Sequence, residues 1–255
     1  MDTSTGETMS FWDHLEVFRW TILRIVIVLA VMLVASFVAM PYIFDPVVLG
    51  PTRGDFFVYR LMGAGPFQTD IININVASQF LTHFSFSFWV ALLLVFPYLM
   101  FEIWRFISPA LYEQEKHGVR RAFLGGALLF YFGCAVGYCV VFPITFRFLA
   151  EYTLGEMITN QISLNSYTTN FLTIIFVLGV VFELPILAWL LSQLGIVNKE
   201  LLKKGRRYAV IVLLVLAAVI TPTGDPFSLA VVFLPLYLLY ELSIAIVPHK
   251  APEED

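Results

Sequence analysis

Residues 104–121 read W-R-F-I-S-P-A-L-Y-E-Q-E-K-H-G-V-R-R. An apolar and aromatic segment (Trp104, Phe106, Ile107, Leu111, Tyr112) runs directly into a charged one (Glu113, Glu115, Lys116, Arg120, Arg121). Rings beside mixed charge are what a membrane–water interface selects. Long apolar runs flank the stretch at 80–101 and 122–142. It therefore reads as a surface loop between two membrane spans.

Composition agrees. Of 255 residues, 59% are hydrophobic, 16% aromatic and only 13% charged. An ordinary soluble domain is about 25% charged, so lipid is the expected solvent for this much apolar surface. The net charge of −4 says little, because the placement of Lys and Arg matters more in a membrane protein. Cys134 and Cys139 share one apolar run. On a helix they point roughly 140° apart, so they read as buried thiols, not as a disulfide or a metal pair. The first ten residues are polar and acidic, and the first apolar run is too long for a signal-peptide h-region. Neither a cleavable signal nor a basic transit peptide is expected.

The hydropathy pattern predicts an all-α polytopic membrane protein, one integral domain over 1–255. Six spans are expected, at about 21–40, 80–101, 122–142, 171–191, 208–220 and 227–247, with an outer cap at 42–75. Ahead of the first, Ser10 is a plausible N-cap, and Phe11, Leu15, Phe18 and Ile22 recur at helical spacing. That segment reads as an amphipathic helix lying on the membrane before the chain turns in, or as a plain anchor. Arg24 is placed to snorkel to the nearer headgroups, and Pro41 ends the first span. Gly133 and Gly137 form a small-residue face suited to packing against another helix of this chain. Thirteen residues, Tyr208–Ile220, reach only about 20 Å, against a hydrocarbon core of roughly 30 Å. The last two helices are expected to be short and to lean on their neighbours. No internal repeat is seen.

Charge orients the chain. With the N-terminus inside, inner segments hold Arg19, Arg24, Arg105, Lys116, Arg120, Arg121, Lys199, Lys203, Lys204, Arg206, Arg207 and Lys250, and outer ones Arg53, Arg60 and Arg147. Twelve against three is a strong positive-inside bias. Both termini and the 104–121 loop are thus expected in the cytoplasm.

Glu183 falls mid-span in V-V-F-E-L-P. A charge there costs on the order of 2.5–3.5 kcal/mol. It reads as a polar contact for another membrane helix or a moving substrate, or as one partner of an internal hydrogen bond. Thr221, Pro222, Thr223 and Asp225 form the outer tip between the last two helices. Asp225 precedes Pro226, so it can cap the final helix; a sunken polar tip could equally bond an incoming helix. Glu241 reads as a solvated end. No H-E-x-x-H or G-x-S-x-G motif is present. The histidines His14, His83, His117 and His249 lack metal-ligand spacing. No P-loop is present, so any energy comes from elsewhere; neither a cofactor nor a metal is expected. Glu115, beside apolar side chains at the interface, suits a bidentate grip on a guanidinium; pairing with Lys116, Arg120 or Arg121 is the plainer alternative.

Taken in order, F-x-S-P-A-L-Y-E-Q-E-K, V-F-E-L-P, L-L-K-K-G-R-R-Y and I-T-P-T-G-D-P-F-S followed by P-L-Y-L-L-Y-E resemble the TatC family, the receptor subunit of the twin-arginine protein translocase. The resemblance spans nearly the whole chain outside 42–75. It implies a concave six-helix bundle in the bacterial cytoplasmic membrane. Its implied role is to bind twin-arginine signal peptides of folded precursor proteins and to organise single-span TatA/TatB-type partners. Transport would be driven by the proton-motive force, with self-association in a complex and no nucleic acid. By position, Glu115 resembles the family's arginine-binding glutamate, surrounded by Phe106, Pro109, Leu111 and Tyr112. H-L-E-V-F-R resembles the family's H-L-x-E-L-R and maps His14, Leu15 and Arg19. Glu16 falls one residue early and Val17 stands in the glutamate's place. Leu229 stands where a polar residue is common. Glu183, Thr221 and Asp225 resemble the contact sites for single-span partners. The alternative from another class is a proton-coupled secondary transporter of a small solute using Glu183, for which internal repeats and broken midplane helices would be expected.

Overall fold

The computed structural model describes residues 11–63, 65, 67–108, 113–155, 157, 160–221 and 223–248, with side chains throughout except at 11–14 and 113–117. Expectations at Ser10, Pro109, Leu111, Tyr112 and Pro222, and for the side chains of His14 and Glu115, lie outside the described residues.

The chain begins with helix α1 (Phe11–Ile43), uninterrupted through the point where a surface helix was expected to turn into a span. Residues 11–43 contain no glycine, and their one proline, Pro41, sits in the last turn, so nothing breaks the ladder earlier. Most of α1 faces outward. Val26, Val31, Val34 and Val38 are exposed, as a lipid-facing helix requires. After α1 the backbone widens into a π turn (Phe44–Val48) and then tightens into a 3-10 turn (Gly50–Thr52), followed by the short helix α2 (Phe57–Leu61). Carbonyls left over by these irregular turns are taken up by tyrosines from elsewhere. Tyr59 donates to Pro51 O at 2.9 Å, Tyr138 to Val47 O at 2.9 Å, and Tyr167 to Val48 O. An unsatisfied carbonyl next to lipid would be costly.

Helix α3 (Ser78–Ile107) runs back along α1, and α4 (Glu113–Val136) returns along α3. Both reach into the stretch expected to be a loop, so 104–121 is mainly the facing ends of two helices. A π turn (Gly137–Val141) leads into α5 (Phe142–Glu151), which carries the third span past Pro143. A proline in a helix's first turn removes no needed donor. Helices α6 (Leu164–Val181) and α7 (Leu184–Gln193) form the fourth span, broken at Phe182 and Glu183. Pro185 explains the break, since it cannot donate to the Val181 carbonyl four residues back. Helix α8 (Lys199–Ile220) begins with its charged turns, and its apolar part packs on α9 (Pro226–Ile246).

Five helical segments among the described residues are long and apolar enough to cross a membrane: Leu15–Thr52, Ser78–Ile107, Gly118–Glu151, Leu164–Gln193 and Pro226–Ile246. Helix α8, with only 208–220 apolar, brings the layout to six. At the end away from the N-terminus, strands β1 (Ile71–Ile72) and β2 (Ile162–Ser163) pair in parallel and tie the cap to the 152–163 connection.

Aromatic rings fill the core. Phe96 stacks on Phe130 at 3.6 Å, and Phe142 meets Phe171 edge-on at 4.9 Å. Gly133 and Gly137 pack within the chain, as expected. A Cβ on Gly133 would come within 2.7 Å of the Phe182 ring and 2.8 Å of Leu178 O, and one on Gly137 within 3.0 Å of Ile175 Cα. Cys134 is buried and Cys139 half-buried, both free. Two charged groups differ from expectation. Arg24 does not simply snorkel; its Nη2 donates to Glu102 at 3.0 Å. Glu241 is not a merely solvated end; Arg206 of α8 pairs with it at 2.7 Å. Each pairing joins two helices whose relative rotation a linear pattern does not reveal.

Candidate functional site

Polar groups collect at three levels of the bundle. The first is the end carrying the N-terminus, where α1 and α3 line a cavity of about 540 Å³. Its walls are Glu16, Val17, Trp20, Thr21 and Arg24 from α1 and Arg105 and Phe106 from α3. Helical spacing places 16, 17, 20, 21 and 24 on one face of α1, so that side lines the cavity. Glu16 is exposed. The rings of Phe18 and Phe106 meet at 5.5 Å and hold the two helices at the mouth.

Beneath the cavity lies Glu102, 1% exposed. Its Oε2 accepts from Arg24 Nη2 at 3.0 Å, its Oε1 accepts from the Tyr98 hydroxyl at 2.9 Å, and Arg105 Nη1 stands 3.9 Å from Oε1. Arg24 Nη2 also donates to Thr21 Oγ1 at 3.2 Å. A buried carboxylate demands this surrounding of donors. Next to it, the Arg120 guanidinium lies over Trp104 at 5.7 Å, a cation–π contact joining the start of α4 to the end of α3.

The second level is Glu183, at the break between α6 and α7. Gly126 of α4 makes room for it: a Cβ there would lie 2.7 Å from Oε2. Glu183 Oε1 is buried and has no hydrogen-bond partner among the described residues. Among the described residues, the internal bond offered as an alternative is not made at that oxygen.

The third level is the far tip. Asp225 caps α9: its side chain accepts from Ser228 N–H at 2.7 Å and from Thr223 Oγ1 at 2.6 Å, with Pro226 in the first turn. Burial alone would raise the Asp225 carboxyl, but these hydrogen bonds outweigh it and hold the pKa below its ordinary 3.8. Thr221 is buried and bonds back to Ala217 O at 2.9 Å. The Ser228 hydroxyl is buried without a partner among the described residues.

Of the residues singled out from sequence, the structure gathers Glu16 and Phe106 around one cavity. Leu15 and Arg19 are exposed on α1, outside that lining. Glu183 stands apart from them in mid-bundle, and Thr221 and Asp225 at the opposite end. Glu115 lies in the first turn of α4, next to the same junction, with its side chain outside the described residues. Sequence reasoning missed Glu102, Arg24 as its partner, Tyr98 and Trp20. A span boundary drawn at Phe101 left Glu102 in a loop; one residue more would have flagged it as an acid inside a span.

The family model described as Sec-independent protein translocase protein (TatC) matches residues 13–235. A relative from Deinococcus radiodurans, named Sec-independent protein translocase protein TatC, is 38% identical over 235 residues, covering 92% of this chain and 84% of that protein. The Escherichia coli K12 protein of the same name is 35% identical over 192 residues, 73% of this chain and 74% of its own. A crystal structure of the twin arginine translocase receptor TatC in DDM superposes with a TM-score of 0.78 at 26% identity, over 92% of this chain and 99% of that one. These relatives give no support to the solute-transporter alternative. With the helical order, the broken fourth span and the capped far tip already in place, they settle the assignment: the chain belongs to the TatC family, as a multi-pass bacterial membrane protein of the protein-translocation machinery.

Proposed function

We propose that this protein is the receptor subunit of a twin-arginine translocase. It binds twin-arginine signal peptides of folded precursors where α1, α3 and the start of α4 converge, and recruits TatA/TatB-type single-span partners. The carrying observation is the cavity between α1 and α3. It combines the exposed Glu16 carboxylate, unpaired among the described residues, with the apolar walls of Val17, Trp20 and Phe106, beside the junction that bears Glu115. A guanidinium needs a carboxylate in a partly dry setting to gain a strong bidentate bond. The residues next to it in a signal peptide need apolar surface. The family resemblance adds Pro109, Leu111 and Tyr112, which follow Phe106 in the chain, and His14, Leu15 and Arg19, which flank Glu16 in the chain, as further signal-peptide contacts.

In this reading the protein is a transport component and not a hydrolase. It lies in the bacterial cytoplasmic membrane with both termini cytoplasmic, matching the concentration of Lys and Arg at the N-terminal end of the bundle. Glu183, half-buried at the break between α6 and α7, is the polar contact for a partner helix inside the membrane, where a polar bond has no water to compete with. Thr221 and Asp225 mark a second contact at the outer tip.

Binding of a synthetic twin-arginine signal peptide to the detergent-solubilised protein tests the reading. Glu115→Ala should weaken it by at least about tenfold, the size of one hydrogen bond to a charged group. A twin-lysine peptide should bind less well, since a point charge cannot bridge both carboxylate oxygens. Undiminished affinity in both experiments would remove the arginine site from this end. Labelling of Lys203→Cys from outside intact cells would reverse the orientation.

A further inference from the structure

We infer that Arg24 is an internal stand-in for a substrate guanidinium: it holds Glu102 until one arginine of the signal peptide displaces it and takes that carboxylate. The inference rests on the receptor reading above and names a second arginine acceptor for the same site.

Arg24 and Arg105 stand between the cavity and Glu102 in the hydrogen-bond order: both line the cavity, and both approach the Glu102 carboxylate. Arg24 lines the 540 Å³ cavity, whereas Glu102 lies behind it, 1% exposed. The pair is single-pronged. One nitrogen, Nη2, serves both Glu102 and Thr21, and Arg24 Nε is buried with no partner among the described residues. A guanidinium has five donors arranged as a fork, and its strong mode with a carboxylate is two parallel bonds. Approaching along α1 from Thr21, Arg24 does not use that mode; an arginine entering from the cavity is not tied to that backbone. Displacement leaves Arg24 a destination. Its side chain is already 35% exposed, and the same cavity wall carries the Glu16 carboxylate. Glu102 meanwhile keeps the Tyr98 hydroxyl on Oε1 and the nearby Arg105 guanidinium, so the acceptor stays formed during the exchange. Trp20, Val17 and Phe106 supply apolar contact for the residue flanking the arginine. The ligand this arrangement selects is a peptide arginine with an apolar neighbour.

A competing placeholder and a structural ion pair predict opposite results. If Arg24 competes, Arg24→Gln tightens the twin-arginine peptide, and Glu102→Gln weakens it, each by about tenfold. The twin-lysine peptide gains less from Arg24→Gln. Both single variants weakening binding alike, or Arg24→Gln leaving it unchanged, overturns the inference. Because Arg24→Gln strands a buried carboxylate and costs stability, the Arg24→Gln, Glu102→Gln double variant is measured beside it. Binding as weak as in Glu102→Gln alone supports the exchange; recovery to the wild-type value overturns it. A wild-type chain that binds the twin-arginine peptide no better than a scrambled one overturns the receptor reading and this inference together. Wild-type binding with same-direction variants overturns the inference alone.

Discussion

Glu183, at the break between α6 and α7, rests against Gly126 of α4 so closely that a Cβ on the glycine would stand 2.7 Å from Oε2. Its other oxygen is buried without a partner among the described residues. An acid kept in the membrane with an idle oxygen contributes little to folding. Glu183→Ala should therefore leave thermal stability in detergent within about 1 kcal/mol of wild type, while co-purification of single-span partners and export of a twin-arginine reporter fall. Gly126→Ala should reduce partner recovery by displacing the same carboxylate. Normal export from a clearly destabilised Glu183→Ala protein would make the residue structural.

The contact of α4 with α6 depends on Gly133. Because its absent Cβ is replaced by the Phe182 ring at 2.7 Å and Leu178 O at 2.8 Å, Gly133→Ala must push backbone away, not just a flexible tip. Overpacking of this kind costs about 1–3 kcal/mol. Gly125→Ala, where the nearest atom is Ile186 Cδ1 at 3.8 Å, should cost far less. Comparing the two unfolding temperatures checks the claim, and equal values would contradict it.

Arg147 anchors the cap. Its guanidinium lies 5.2 Å from the centres of both the Tyr59 and Phe67 rings, pairs with Glu151 at 2.9 Å and donates to Gly65 O at 3.2 Å. Burial also pushes the Tyr59 hydroxyl above its ordinary pKa, so the ring stays neutral. Arg147→Ala should cost about 2 kcal/mol through lost ring contacts and hydrogen bonds. Arg147→Lys should recover only part of it, because an ammonium cannot lie flat against two rings. Limited proteolysis within 42–75 reads the loosening; unchanged resistance in Arg147→Ala would rule the clamp out.

The Asp225 cap makes stability depend on pH. Its carboxyl is held below the ordinary 3.8 in the folded chain, so the unfolded chain binds the proton more readily. That stabilisation is complete above 3.8 and is lost as pH falls through the lower folded value. Asp225→Asn keeps a capping oxygen and should flatten this acid limb, while Asp225→Ala should cost about 1 kcal/mol at neutral pH. Unfolding temperatures from pH 3 to 7 on the order of one unit apart separate the two; an unchanged acid limb in Asp225→Asn would count against the cap.

The Arg206–Glu241 pair joins α8 to α9 but is substantially exposed, its two side chains 49% and 31% accessible. Glu241→Gln should shift stability by less than about 1 kcal/mol. A larger loss, read by denaturant unfolding, would show that the pair bears more of the α8–α9 contact than its exposure suggests.

Much of this molecule follows from local sequence. Continuous apolar runs determined the membrane class and the helical layout, because each span must satisfy its own backbone within lipid. Asp225 before Pro226 foretold the α9 cap, and Gly133 with Gly137 foretold close packing, since both depend on residues a few positions apart. The ordered motifs carried the family. What tertiary structure alone decided were the partners. Arg24 and Glu102 lie 78 residues apart, and Tyr167 reaches a carbonyl 119 residues away. Whether two such groups meet depends on the rotation and register of packed helices, which hydropathy does not encode. Sequence therefore identified a membrane receptor with acids to spare, and only the packed bundle showed that one of them, Glu102, already holds an arginine.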